Sequence, residues 1–208
     1  MNQDSTPAKV RLREKLRGAT ATAILEAGEA VFAQQGLHTA RMDTIAERAG
    51  VAVGTLYNYF ADRNAIVSAL IDMRRAELLE RLDQSLETTA SLPFRQQLEG
   101  FVMAVFQHMK SHKSFLTILM EAENANIASA KPKQAIRELL DRCERIVSRG
   151  VQAGALKDEV NIDYAAMLLG VVRAAFAQGR HFGKPVIPSH ERAVAIVDFF
   201  LGGAGTAP

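Results

Sequence analysis

The residue types that could do chemistry gather between Met42 and Phe60. On a helix starting near Val53, the residues Val53, Gly54, Thr55, Tyr57, Asn58 and Tyr59 form a face that is small, aromatic, hydrogen-bonding and free of acid. That chemistry suits the major groove of DNA, which admits one helix and presents base-edge donors and acceptors flanked by phosphates. Leu56 and Phe60 stand at i, i+4 and would anchor the opposite side of the same helix. Before them, Ile45, Ala46 and Ala49 mark the buried face of a first short helix. Gly50 follows where a left-handed residue ends a helix at least cost, and Val51 plugs the corner. An ordinary helical hairpin shares this spacing, so spacing alone leaves both readings open.

Other constellations are thinner. His108 and His112 lie at i, i+4, the helical spacing of a metal-binding pair. No cysteine or third histidine stands at a ligand-like position nearby, so neither a metal nor any other cofactor is expected. Cys143 is the only cysteine, which excludes an intrachain disulfide and fits a reducing cytoplasm. It falls on the apolar stripe Ile136, Leu139, Leu140, Ile146, Val147, the place of a buried, inert thiol. The chain has no Ser/His/Asp set, no paired catalytic carboxylates on a loop and no phosphate-cradling glycine loop, so an enzyme is not expected.

These residues must be positioned by helices. With 208 residues, 48% hydrophobic content, no Trp and many Ala, Leu, Arg and Glu, the chain reads as all-α. The net charge is only +2, yet Lys9, Arg11, Arg13, Lys15 and Arg17 face a single acid, Glu14. That block is either a solvated helix or a source of phosphate and minor-groove contacts. Pro7 opens a first helix that runs to about Gln35 and stops at Gly36, after a tail from Met1 to Ala8. Asp62 caps a long fourth helix with the stripe Ile66, Ala69, Leu70, Met73, Leu79, Leu82 and Leu86. Pro93 precedes a fifth helix whose face carries Phe94, Leu98, Phe101, Val102, Val105, Phe106 and Met109. A sixth spans Lys113 to Glu123, and a loop from Asn124 to Lys131 leads to a seventh opened by Pro132 and ending near Gly154. The eighth covers Ile162 to Arg180. After a loop from Gly183 to Pro188, Ser189 caps a ninth that ends at Gly202-Gly203. The N-terminus has no signal-peptide core, and the longest apolar run, Tyr164 to Val172, is cut by Arg173 and too short to span a membrane.

The ordered positions Val31-Phe32, Gly36, Ile45-Ala46, Ala49-Gly50-Val51, Gly54-Thr55-Leu56-Tyr57, Tyr59-Phe60 and Arg63 resemble the DNA-binding domain of the TetR family of bacterial transcriptional regulators. The match covers roughly Ala19 to Ile71. The resemblance implies a three-helix DNA-binding domain over residues 1–61, with a basic N-terminal arm. A helical effector-binding and dimerisation domain then fills residues 62–208, giving about nine helices in all. It implies DNA contacts from Arg41, Thr44, Val53, Gly54, Thr55, Tyr57, Asn58, Tyr59 and Arg63. The chain departs from the pattern at Ala52, where a hydroxyl cap is usual, and at Ala40-Arg41, where a Thr or Ser pair is usual. A lost cap costs roughly 0.5–2 kcal/mol. Thr39 is a candidate cap one position early, and Arg41 a candidate phosphate contact. Arg63 stands where the family usually has Lys, keeping the charge and adding a fork suited to phosphate oxygens.

The last two helices carry more apolar residues than one inward stripe needs: Met167, Leu168, Val171, Val172, Ala175, Phe176, Ile196, Val197, Phe199, Phe200 and Leu201. A helix apolar over most of its circumference is covered on two sides, most simply by a second copy of itself. The expected homodimer interface is Met167, Val171, Ala174, Ile196, Phe199 and Phe200, which agrees with family practice. Two reading helices would then lie about 34 Å apart on near-palindromic double-stranded operator DNA. Effector-binding candidates are Phe101, Phe106, Met109, Phe115, Met120, Glu121, Arg173 and Phe176, an adaptable apolar set. Arg173 inside an apolar run calls for a partner: Glu121 or Glu123, or an acidic group on the effector. The expected function is a cytoplasmic, ligand-responsive repressor released from its operator by a small hydrophobic or amphipathic effector, with no membrane partner. The alternative is a helical protein-interaction module or co-regulator with secondary DNA affinity.

Overall fold

The computed structural model describes residues 7–127, 132–158, 163–182 and 189–205. Side chains of 7–9, 120, 123, 124, 132, 176–182 and 204 fall outside that description. Among the described residues there are nine helices and no strand: α1 (Pro7–Gln35), α2 (Met42–Ala49), α3 (Val53–Tyr59), α4 (Arg63–Thr88), α5 (Phe94–Ser111), α6 (Lys113–Asn124), α7 (Pro132–Gln152), α8 (Tyr164–Phe182) and α9 (His190–Ala204). The all-α expectation holds, and no described helix is long and apolar enough to cross a membrane.

Helix boundaries follow the local chemistry. Gly36 and Gly50 both take positive φ, 78° and 69°, and each stops its helix within a residue or two. Asp62 caps α4, its Oδ1 accepting from Ala65 N–H at 2.8 Å, and Ser189 caps α9 by accepting from Arg192 N–H at 3.3 Å. Asp163 does the same for α8 through Ala166 N–H at 2.8 Å. The ninth helix overruns its expected end: it continues through Gly202-Gly203 to Ala204, and Gly205 bridges to Leu156. Expectations for Met1–Thr6, for a start of α8 at Ile162 and for the Gly183–Pro188 loop lie outside the described residues.

The chain packs as two compact units. The first comprises Met1–Met73 and Ser114–Ala130, so it is larger than the expected 1–61 segment and includes α6. Its core holds Ile24, Val31, Phe32, Leu37, Ile45, Leu56, Ile66, Leu70, Phe115 and Ile118. Two polar contacts bind α6 into it. Ser114 Oγ donates to Glu29 Oε1 at 3.0 Å, and Leu37 N–H donates to Glu121 Oε2 at 3.0 Å. Glu29 is buried, so a hydroxyl donor offsets part of its desolvation.

The second unit comprises Arg74–Lys113 and Lys131–Pro208. Its core gathers Leu82, Leu86, Leu98, Phe101, Phe106, Ile146, Leu168, Val197 and Phe200. Gly150 makes close approach possible there, since a Cβ at that position would stand 2.4 Å from the Phe94 ring. Asp83 of α4 receives Arg142 at 2.8 Å and also pairs with Arg145, both from α7. Partial burial pushes the Asp83 carboxyl up, but hydrogen bonds from the two arginines outweigh it and hold the group below its ordinary value. Cys143 is buried in this core, and desolvation pushes its thiol up to about 12. The burial is as expected.

Candidate nucleic-acid interface

The site is built on α2, α3 and the turn between them. Ile45 and Ala46 are wholly buried, fixing one face of α2 against the core they share with α1. At the turn, Val51 N–H donates to Ala46 O at 3.0 Å and Gly50 N–H to Glu47 O at 3.1 Å, satisfying carbonyls that α2 would leave open. Neither α2 nor α3 has a side-chain cap. Thr39, the candidate early cap, instead donates its hydroxyl to Gln35 O at the end of α1. Core packing of Ile45, Ala46 and Leu56 therefore holds these short helices, as isolated segments of this length are unstable.

Leu56 is the inward anchor of α3, fully buried in the core of the first unit. Around it the helix leaves Tyr57 50% and Val53 39% exposed, with Gly54 and Asn58 exposed and Thr55 half-buried. These five share the outward surface the sequence predicts. Tyr59 does not: it is half-buried, its ring lies 6.5 Å from that of Phe60, and the Arg17 guanidinium sits 5.8 Å above it. Tyr59 therefore packs toward α1 and seats a cation of the basic block. Arg11, Arg13, Lys15 and Arg17 are exposed on α1 itself, as a helical extension.

Arg41 is 77% exposed at its side chain and pairs loosely with Asp43 at 3.6 Å, a contact worth under about 1 kcal/mol. It is free to exchange that partner for a phosphate. Thr44 is half-buried. Arg63, expected to face a phosphate, spends one donor on His38 O at 2.7 Å and is half-buried. Gln34 accepts from Arg48 at 3.3 Å and ties α2 to α1.

The effector candidates divide between the two cores. Phe101 and Phe106 are buried in the second unit, where Met109 is half-buried, whereas Phe115 belongs to the core of the first. Glu121, expected as a ligand contact or as the partner of Arg173, has its carboxylate on Leu37 N–H. Arg173 is exposed, so its guanidinium stays in water and needs no internal acid. The side chains of Met120, Glu123 and Phe176 lie outside the described ones.

The expected dimer residues also separate. Phe200 is buried in its own unit, edge-on to Tyr164 at 6.4 Å, and so does not belong to an outer face. Its neighbour Phe199 is 72% exposed and Met167 50% exposed, with Ala174 exposed and Val171 and Ile196 half-buried.

A short helix held by a buried leucine, presenting Tyr57, Asn58 and Val53 after a glycine turn, makes this a helix-turn-helix DNA-binding protein. Comparison with known proteins agrees. The family model for bacterial regulatory proteins of the tetR family matches residues 24–70, which enclose α2 and α3. The chain is 29% identical over 138 residues to the uncharacterized helix-turn-helix regulator YhgD of Bacillus subtilis, covering 64% of this chain and 70% of that one. It is 26% identical over 145 residues to the transcriptional repressor KstR2 of Mycobacterium tuberculosis, covering 67% and 70%. Among solved structures, the regulator FadR of Bacillus subtilis in complex with stearoyl-CoA aligns with a TM-score of 0.71 at 19% identity, over 88% of this chain and 98% of that one. Residues 24–70 thus carry the pattern of the tetR-family DNA-binding domain, and the chain is similar to helix-turn-helix transcriptional regulators.

Proposed function

We propose that this regulator is a homodimeric repressor that leaves a near-palindromic operator when a lipophilic effector binds its second unit. The observation that carries the reading is the outward face of α3. Tyr57 and Val53 stand exposed while Leu56, beside them, is fully buried. A large aromatic and an aliphatic side chain held in water on a seven-residue helix suit base edges and thymine methyls. The amide of Asn58 adds donor and acceptor capacity on the same face.

Dimerisation is supported by Phe199 and Met167, exposed on α9 and α8 opposite a stripe that fills the unit's own core. Two copies joined there bury both residues, and a two-fold pair of reading helices suits a near-palindromic site. A lipophilic effector is supported by the Phe and Met content around Phe101, Phe106 and Met109, and by the acyl-CoA named for the similar fold. Its effect requires unequal affinity for the operator-competent and released states, since equal affinity shifts nothing. Helix α4 is the coupling element, for it supplies Ile66 and Leu70 to one core and Leu82 and Leu86 to the other.

The test is a gel-shift titration with DNA from around the protein's own gene, with and without long-chain acyl-CoA. A sharp shift that weakens steeply with salt and is reversed by the acyl thioester supports the reading. Absence of a shift with any of that DNA contradicts it.

A further inference from the structure

Glu77 of α4 and the pair His108 and His112 of α5 meet within the second unit, their potential ligand atoms all within 4.8 Å of one another. The sequence pairs the two histidines and cannot show the carboxylate. His112 Nε2 lies 3.2 Å from Glu77 Oε2, and the two imidazole rings are 4.8 Å apart, centre to centre. His108 is 1% exposed, yet neither ring nitrogen has a hydrogen-bond partner. An imidazole buried with an unmet donor is costly, so its position in this core calls for a reason.

We propose that Glu77, His108 and His112 bind one transition-metal dication of the zinc class, tying α4 to α5. Two imidazoles and a carboxylate are the ligand set such ions prefer, over the all-oxygen sets of magnesium and calcium. Bonds near 2.1 Å in tetrahedral geometry place ligand atoms about 3.4 Å apart. The His112–Glu77 distance already meets that, and all the ligand atoms lie within 4.8 Å of one another. Arg74 holds both Glu77 oxygens at 2.8 and 3.0 Å, the outer hydrogen bonding that orients a ligating carboxylate. A fourth position remains for water.

The experiment uses the full-length chain stripped with EDTA and desalted, then titrated with Zn²⁺ by calorimetry and with Co²⁺ by visible absorption. The expected result is one ion per chain and a cobalt spectrum of low-symmetry nitrogen and oxygen ligation. Glu77→Gln and His112→Ala should each weaken Zn²⁺ binding tenfold or more, with circular dichroism unchanged. His112 is half-buried and Glu77→Gln nearly isosteric, so at least one variant keeps the fold. Failure of the parent to bind, or equal affinity in parent and folded variants, overturns the proposal. Neither outcome bears on operator binding, which rests on α3.

Discussion

The backbone N–H of Leu37 donates to the carboxylate of Glu121 at 3.0 Å, joining the end of α1 to α6 across 84 positions of sequence. Leu37 is itself buried, so its amide has little recourse to water. Removing the carboxylate leaves a poorly solvated donor, at a cost of about 1–3 kcal/mol. Glu121→Ala should therefore lower thermal stability by several degrees, while Glu121→Gln, which keeps an acceptor oxygen, should lose less than half as much. Differential scanning calorimetry of the two variants separates them; equal losses would show that the acceptor is not what matters.

Tyr57→Ala removes the largest exposed side chain of α3 without touching Leu56. The expected result is at least a tenfold loss of operator affinity, about 1.4 kcal/mol or more, with helicity and oligomeric state unchanged. Tyr59→Phe should preserve binding, because Tyr59 packs against Phe60 and Arg17. Anisotropy titrations at one fixed salt concentration decide both.

Phe199→Glu places a charge on the most exposed large apolar side chain of α9. In a two-fold interface each substitution enters twice, so like charges meet across it. The variant should sediment as a monomer at concentrations where the parent is a dimer. A parent that is itself monomeric would remove the symmetric arrangement.

Arg173 is exposed, and Arg173→Ala should change thermal stability by no more than about 0.5 kcal/mol. A larger loss would place it in an ion pair after all.

With its pKa pushed up to about 12, the Cys143 thiol should hold almost no thiolate at pH 8. A disulfide reagent should leave the native chain unmodified for hours and react at once in denaturant. Fast native labelling would mean that the core around Ile146 opens readily.

Much of the reading domain was legible because its signals are local. Gly36 and Gly50 stop helices by taking positive φ, Asp62 and Ser189 cap by reaching three residues ahead, and Leu56 falls on the inner face by simple periodicity. What stayed hidden depends on distant partners. Nothing near Glu121 announces Leu37, and nothing near Ser114 announces Glu29, so the membership of α6 in the first unit leaves no trace in pattern. Glu77 completes the His108 and His112 cluster from another helix in the same way. Neighbouring aromatics posed a further difficulty, since an apolar run cannot say whether Phe199 or Phe200 turns inward. Tyr59 misled for a related reason: α3 ends there, and its ring meets Phe60 and Arg17.

The most direct measurement is a hydroxyl-radical footprint of the full-length protein on the DNA flanking its gene. Protection should appear as two symmetric patches about one helical turn apart on one face of the duplex, and should vanish with Tyr57→Ala. A single unsymmetric patch, or protection that survives loss of Tyr57, would contradict the reading of α3 as half of a paired DNA-binding surface.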